Sequence, residues 1–277
     1  MTAFDVFTTC PQSKDHPPGD YLARVADVAR WSEAAGARGI LVYADNGLVD
    51  PWLIAQKVVD ATTALSPLVA VQPIYMHPYA AAKMAATITA LSGRRVFLNM
   101  IAGGFRNDLD ALCDETPHDE RYARLTEYTR IVADLMAASA TGKALTFEGR
   151  YYRVRNLRMA VRVPEDLQPG IFVSGSSEAG RDAAAALGAV AVEYPGPPET
   201  MAPAVGGGNA LRGFRVGIVA RPERDEAWAV AEARFPPDRR GQMAHGLAMK
   251  TSDSAWHRQL SEQAVAVEAE ERLSGER

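Results

Sequence analysis

Apolar and polar positions along the chain alternate between two periods. Short apolar runs occur at residues 5–10 (DVFTTC), 39–44 (GILVYA), 68–74 (LVAVQPI), 96–101 (VFLNMI), 171–174 (IFVS), 190–194 (VAVEY) and 214–220 (FRVGIVA). Between them lie longer stretches of helical spacing at 21–35, 51–63, 79–91, 119–138, 178–187 and 225–235. In the first of these Leu22, Val25, Val28 and Ala29 recur on one face, and Gly36 follows where a helix stops. Asp50 and Pro51 supply an N-cap and a first helical position for the second. The unbroken run at 39–44 predicts a strand covered on both faces.

Strand followed by helix, repeated in this way, predicts a parallel sheet with crossover helices. Periodicity alone admits a doubly wound sheet or a (β/α)₈ barrel. Two stretches interrupt the repeat. Residues 146–162 predict an inserted β-hairpin, and Pro195, Pro197, Pro198, Pro203 and Gly206–Gly208 leave little room for a helix before residue 214. No eighth strand is found. The division expected is a barrel domain over 1–235 and a polar tail over 236–277, helical at 259–272.

Composition then narrows the class. The 277 residues carry 30 Lys+Arg against 34 Asp+Glu, a formal charge of −4, with an isoelectric point near 5.8. Apolar residues at 47% and charged residues at 23% exclude wholesale disorder and a polybasic nucleic-acid binder. The longest apolar stretch, residues 80–91, is broken by Lys83 and falls short of the roughly 20 residues a membrane span needs. The amino terminus shows no signal-peptide pattern. Cys10 and Cys113 alone make neither a disulfide framework nor a metal cluster. The expectation is a cytoplasmic protein with no nucleic-acid or membrane partner.

In parallel α/β architectures functional groups gather at the carboxyl ends of the strands. Here those ends are Thr9-Cys10, Ala44-Asp45-Asn46, Gln72-Pro73, Asn99 to Gly104, Ser174 to Ser177, Glu193-Tyr194 and the surroundings of Gly217. Signatures of zinc peptidases, P-loops and dinucleotide folds are absent. The segment Ser174-Gly175-Ser176-Ser177 joins a strand to a helix, which suits either a phosphate cradle or a plain serine N-cap. A third reading is a nucleophile elbow, from which Ala179 departs at the last glycine and for which His245 or His257 would have to act as base. His118 and Tyr122, four residues apart, share a helix face, while the acidic residues between them suit a helix start. Asn99 is polar in an apolar strand and needs a partner if buried.

Several segments occurring in order resemble a known family: 39–52 (GILVYADNGLVDPW), 91–94 (LSGR), 96–104 (VFLNMIAGG), 118–122 (HDERY), 147–149 (FEG), 175–178 (GSSE) and 197–199 (PPE). Together, over residues 1 to about 235, the set resembles the bacterial luciferase-like flavin monooxygenases, in particular their alkanesulfonate monooxygenase branch. The resemblance implies a TIM (β/α)₈-type barrel with an extra hairpin. It also implies reduced FMN supplied by a separate flavin reductase, and O₂ activated as a flavin C4a-peroxide to oxygenate a small organic substrate.

Position by position, the resemblance implies that Gly175, Ser176 and Ser177 take the FMN phosphate with Tyr122 and His118 beside them. Asn99 and Ala44 match positions near the isoalloxazine, and Arg215 matches a catalytic arginine. Cys10, Leu48 and Tyr194 fall in the implied substrate pocket. Leu48 stands where the sulfonate enzymes carry a cysteine, Gly217 where they carry a histidine, and Tyr194 where they carry a tryptophan. The first two changes remove a proton-transfer group and a hydrogen-bonding group, which counts against a sulfonate substrate. The family's last strand and helix have no counterpart in the pattern, so a homo- or hetero-oligomer that covers the open edge is expected. A non-catalytic subunit completed by another chain is the competing reading.

Overall fold

The computed structural model describes residues 4–195 and 211–234; the 236–277 tail and the 197–199 motif lie outside them. Seven parallel strands form one sheet: β1 (Phe7–Thr9), β2 (Gly39–Val42), β3 (Ser66–Val71), β4 (Phe97–Met100), β7 (Gly170–Ser174), β8 (Val190–Glu193) and β9 (Arg212–Phe214), in the spatial order β1-β2-β3-β4-β7-β8-β9. The crossovers carry α1 (Pro18–Ala34), α2 (Pro51–Ala61), α3 (Pro78–Ser92), α4 (Arg106–Ala111), α5 (His118–Thr141) and α6 (Glu178–Leu187), and α7 (Arg224–Arg234) follows β9. Helix starts follow the sequence closely. Asp50 Oδ1 accepts the amides of Trp52 and Leu53 at 2.9 and 3.2 Å, with Pro51 in the first turn. No helix among the described residues is long and apolar enough to cross a membrane.

The sheet is curled, which decides between the two architectures the pattern allowed. Strands in a flat sheet lie ~4.8 Å apart, so β1 and β7, four positions apart, would be separated by about 19 Å. Yet the Phe7 ring meets Phe172 edge to face at 5.2 Å and Phe97 at 5.0 Å, and Phe97 meets Phe172 at 5.9 Å. These three rings close the amino-terminal end of a barrel interior. A β-carbon at Gly170 would fall 2.4 Å from the Phe97 ring, so the bare backbone there makes room for it. Among the described residues β1 pairs only with β2, and β9 only with β8, so the described strands do not close the barrel.

Alternate residues of each strand face outward and are covered by helices. Ile40, Val42, Cys10, Tyr21, Val25, Ile54 and Val58 make one buried cluster between β1, β2, α1 and α2. A larger cluster joins Val69, Val71, Leu98, Met100 and Val173 to α3, α5 and α6. The predicted hairpin is β5 (Leu145–Glu148) against β6 (Arg153–Leu157), antiparallel and separate from the main sheet. It is tied down by α5, where the Glu127 carboxylate accepts the amides of Arg150 and Tyr151 at 2.9 Å each and that of Tyr152. Arg94, in the LSGR segment, donates to Thr62 Oγ1 at 2.9 Å and to the carbonyls of Leu65 and Val59, which satisfies the carboxyl end of α2. That segment is therefore architectural.

Two elements depart from the pattern. The last strand among the described residues is Arg212–Phe214, ahead of the predicted 214–220, and residues 215–220 form no strand. β8 stops at Glu193, opposite Phe214, so only the amide of Arg215 finds a further carbonyl, that of Glu193 at 2.9 Å. The short helix α4 went unpredicted because Leu109 is its one buried residue and gives no apolar period.

Candidate active site

The carboxyl ends of the strands form a mouth. Phe97 and Asn99 share the inward face of β4, as Phe172 and Ser174 do on β7. Asn99 is 6% exposed, and its Oδ1 accepts the Ser174 hydroxyl at 2.7 Å. Its Nδ2 makes no hydrogen bond among the described residues, which leaves its two N–H donors for a bound group.

The Gly-Ser-Ser turn lies between β7 and α6. The Ser177 hydroxyl accepts the Gly180 amide at 3.1 Å, so the N-cap reading of this residue is realised. The amides of Ser176, Ser177 and Glu178 have no hydrogen-bond partner among the described residues. Tyr122, on α5, reaches over this turn. A β-carbon at Gly175 would sit 2.3 Å from the Tyr122 hydroxyl oxygen. His118 stacks edge-on against Tyr122 at 5.2 Å, and its Nδ1 lies 2.8 Å from Asp119 Oδ1. The predicted common helix face thus exists and meets the turn. Open amides at the start of a ten-residue helix, a hydroxyl with a hydrogen to donate and a phenol over bare backbone suit a phosphate monoester.

Behind this end of α5 lies an ionic cluster. Arg124 meets Asp114 through two bonds of 2.5 and 3.2 Å, and Arg121, 1% exposed, donates to the Thr116 carbonyl at 3.0 Å. Burial works to raise the Asp114 carboxyl, but the Arg124 and Thr116 hydrogen bonds outweigh it and hold the group below its ordinary range.

At the ends of β2 and β3 the mouth opens into a cavity of about 270 Å³ whose lining includes Ala44, Asp45, Leu48, Trp52, Gln72 and Tyr75. Gln72 Nε2 donates to Tyr75 Oη at 3.2 Å, Tyr75 Oη to Asn46 Oδ1 at 2.8 Å, and Asn46 Nδ2 to the Asp108 carbonyl at 3.0 Å. This chain joins the loops after β2 and β3 to α4. Burial, aided by Asp108 and Asp45, pushes the Tyr75 phenol up to about 12, so it keeps the hydrogen that it donates to Asn46.

On the far side, Arg215 follows β9. Its guanidinium donates to Tyr43 Oη at 2.9 Å and lies over the rings of Tyr43 and Tyr194, 5.4 and 5.8 Å from their centroids. Burial raises the Tyr194 phenol, with Arg215 opposing and Tyr43 adding to the rise.

The structure therefore groups Gly175, Ser176, Ser177, Tyr122 and His118 at one point, sets Ala44 and Leu48 on the cavity wall, and joins Tyr194 to Arg215. Cys10 is the correction. It was expected in the pocket, but it is 3% exposed within the cluster beneath α1 and α2. Thr8, two residues earlier, bonds Ser32 of α1 at 2.7 Å, so the even positions of this strand face the helices and Phe7 faces the interior. Burial pushes the Cys10 thiol up to about 12, which removes it as a nucleophile. Tyr43 was overlooked, although the outward Ile40 and Val42 place it on the inward face by alternation. Among the described residues no cluster of ligand side chains could hold a metal ion.

A curled parallel sheet with helical crossovers and its strand ends gathered at one mouth defines the α/β-barrel class. The chain belongs to the luciferase-like monooxygenase family, which it matches over residues 2–275. It is 34% identical over 255 residues to the 4-(gamma-L-glutamylamino)butanoyl-BtrI acyl-carrier protein monooxygenase BtrO of Niallia circulans, covering 90% of this chain and 73% of that one. Among solved structures it resembles a long-chain alkane monooxygenase, with a TM-score of 0.58 and 18% identity over 67% of this chain and 55% of that one. It also resembles the monooxygenase RslO1 from Streptomyces bottropensis, with a TM-score of 0.58 and 18% identity over 69% and 60% of the two chains. The chain thus spans little more than half the length of these solved relatives, and at such identity they speak for the fold alone.

Proposed function

We propose that this chain is a reduced-FMN-dependent monooxygenase that oxygenates a small organic substrate with O₂, with the flavin delivered by a separate reductase. The observation that carries the reading is the Tyr122 hydroxyl over bare Gly175 at the start of α6, beside three amides that have no partner among the described residues. In this reading Ser176, Ser177 and Tyr122 hold the FMN phosphate and His118 supports Tyr122. Asn99 Nδ2 and the backbone at Ala44 face the ring system. Reduced FMN, when bound, supplies the electrons that activate O₂. The protein's part is to hold the ring at the mouth, to keep water from it with Leu48 and Trp52, and to present the charged Arg215 to the substrate.

An alkylsulfonate is not the substrate we propose. Leu48 offers an isobutyl group on the cavity wall and Gly217 offers no side chain, so the two polar groups implied for sulfonate enzymes are missing. The name of the 34%-identical relative makes carrier-bound acyl groups the first class to test. A reductase-dependence assay checks the two-component reading. NADPH and FMN with the purified chain alone should give no turnover, and adding a flavin reductase should give product with acyl carrier substrates. Steady NADPH consumption by the chain alone would contradict it.

A further inference from the structure

We propose that Tyr43 is the positioning residue that fixes the Arg215 guanidinium at the mouth of the barrel. The inference deepens the proposed function, because it rests on Arg215 facing the substrate. The two residues are 172 positions apart and directly follow β2 and β9, the second and last strands in the sheet order. The backbone of Arg215 is held by one bond, from its amide to the Glu193 carbonyl, after which residues 216–220 leave the sheet. Arg212 anchors the same stretch through Glu193. These contacts place the Arg215 backbone but leave its long side chain free to choose a direction.

The side chain takes its direction from two phenols. Tyr43 accepts its Nη2 and lies beneath the cation, and Tyr194 covers it at 5.8 Å. No carboxylate lies within ion-pair distance of Arg215 among the described residues. Among the described residues the positive charge is therefore held by neutral rings, and the remaining guanidinium donors are open to an anionic group such as a carboxylate or a phosphate ester. A carboxylate at position 43 or 194 would hold the arginine as well but would neutralise it. Tyrosine orients the cation without consuming its charge.

The test uses the full chain labelled with ¹⁵N-arginine. The Arg215 side-chain signal is assigned by its loss in Arg215→Lys, and rotation about its Cζ–Nε bond is measured in wild type, Tyr43→Phe and Tyr43→Leu, with thermal melting as a check on folding. Wild type should show slow rotation. Tyr43→Phe, which keeps the ring and loses the acceptor, should rotate about threefold faster or more, and Tyr43→Leu faster still. The same signal is then followed with acetate and with methyl phosphate. Binding of either should weaken by about tenfold in Tyr43→Leu. Fast rotation in the wild type, or rates unchanged in folded Tyr43→Leu, overturns the proposal. A restrained signal that responds to neither anion upholds the Tyr43 brace and counts instead against Arg215 contacting the substrate.

Discussion

The Tyr122 hydroxyl lies so close over the backbone of Gly175 that a single β-carbon there would meet it at 2.3 Å. Tyr122 is buried on a 24-residue helix, so it cannot yield easily to such an atom. Gly175→Ala should therefore displace the phenol and weaken FMN binding by about tenfold or more, while the melting temperature falls by only a few degrees, since a local clash costs about 1–3 kcal/mol. Flavin fluorescence titration together with calorimetry separates the two effects.

The Ser174–Asn99 bond carries a second expectation. Ser174→Ala removes the donor to a buried amide oxygen and should cost about 1–3 kcal/mol in urea unfolding. Asn99→Leu leaves the buried Ser174 hydroxyl without its acceptor and should destabilise by a similar amount, yet weaken flavin binding more if Nδ2 contacts the ring. Equal losses in both variants for both quantities would show Asn99 to be a core residue only.

Acid should act through Asp114. Its carboxyl lies below its ordinary range because of Arg124 and Thr116, so the ion pair's contribution is fully present above the unfolded carboxyl's pKa of about 4. That contribution is lost as pH falls through the lower folded value. Stability measured from pH 6 downwards should drop, and Arg124→Gln should lower stability most at neutral pH and flatten this acid limb. An unchanged limb in Arg124→Gln would mean that other carboxylates govern acid unfolding.

At the closed end of the barrel, Gly170→Ala should be costly because the Phe97 ring, 2.4 Å from the new β-carbon, is fixed on its other sides by Phe7 and Phe172. We expect a loss of about 1–3 kcal/mol, with part of it recovered in the double variant Gly170→Ala, Phe97→Leu. Strict additivity of the two single losses would mean that the ring is free to move.

What the sequence makes legible here is whatever depends on neighbours along the chain. The Asp50 cap, the hairpin, the Gly-Ser-Ser helix start and the shared face of His118 and Tyr122 are all local. What it hides depends on partners. The run at 214–220 has strand character, yet Val216 and Ile218 are exposed because β8 ends before it could pair with them. Cys10 was placed on the wrong side of its strand, an error of one residue in a period of two. Tyr43 and Arg215 meet only through the curl of the sheet, which no local pattern encodes. Glu127 and Arg94 likewise bind backbone groups 23 to 35 residues away, so their roles appear only in three dimensions.

The central claim is that the turn at Gly175, Ser176 and Ser177 holds the phosphate of FMN. The most direct measurement compares FMN with riboflavin, which differs only in lacking that phosphate, in anaerobic titrations of the reduced flavins. Wild type should prefer reduced FMN strongly, and Ser176→Ala with Ser177→Ala should lose about 1–3 kcal/mol of FMN affinity while riboflavin binding stays the same. Equal affinity of the wild type for the two flavins, or a preference for FMN that survives the double substitution, would contradict it.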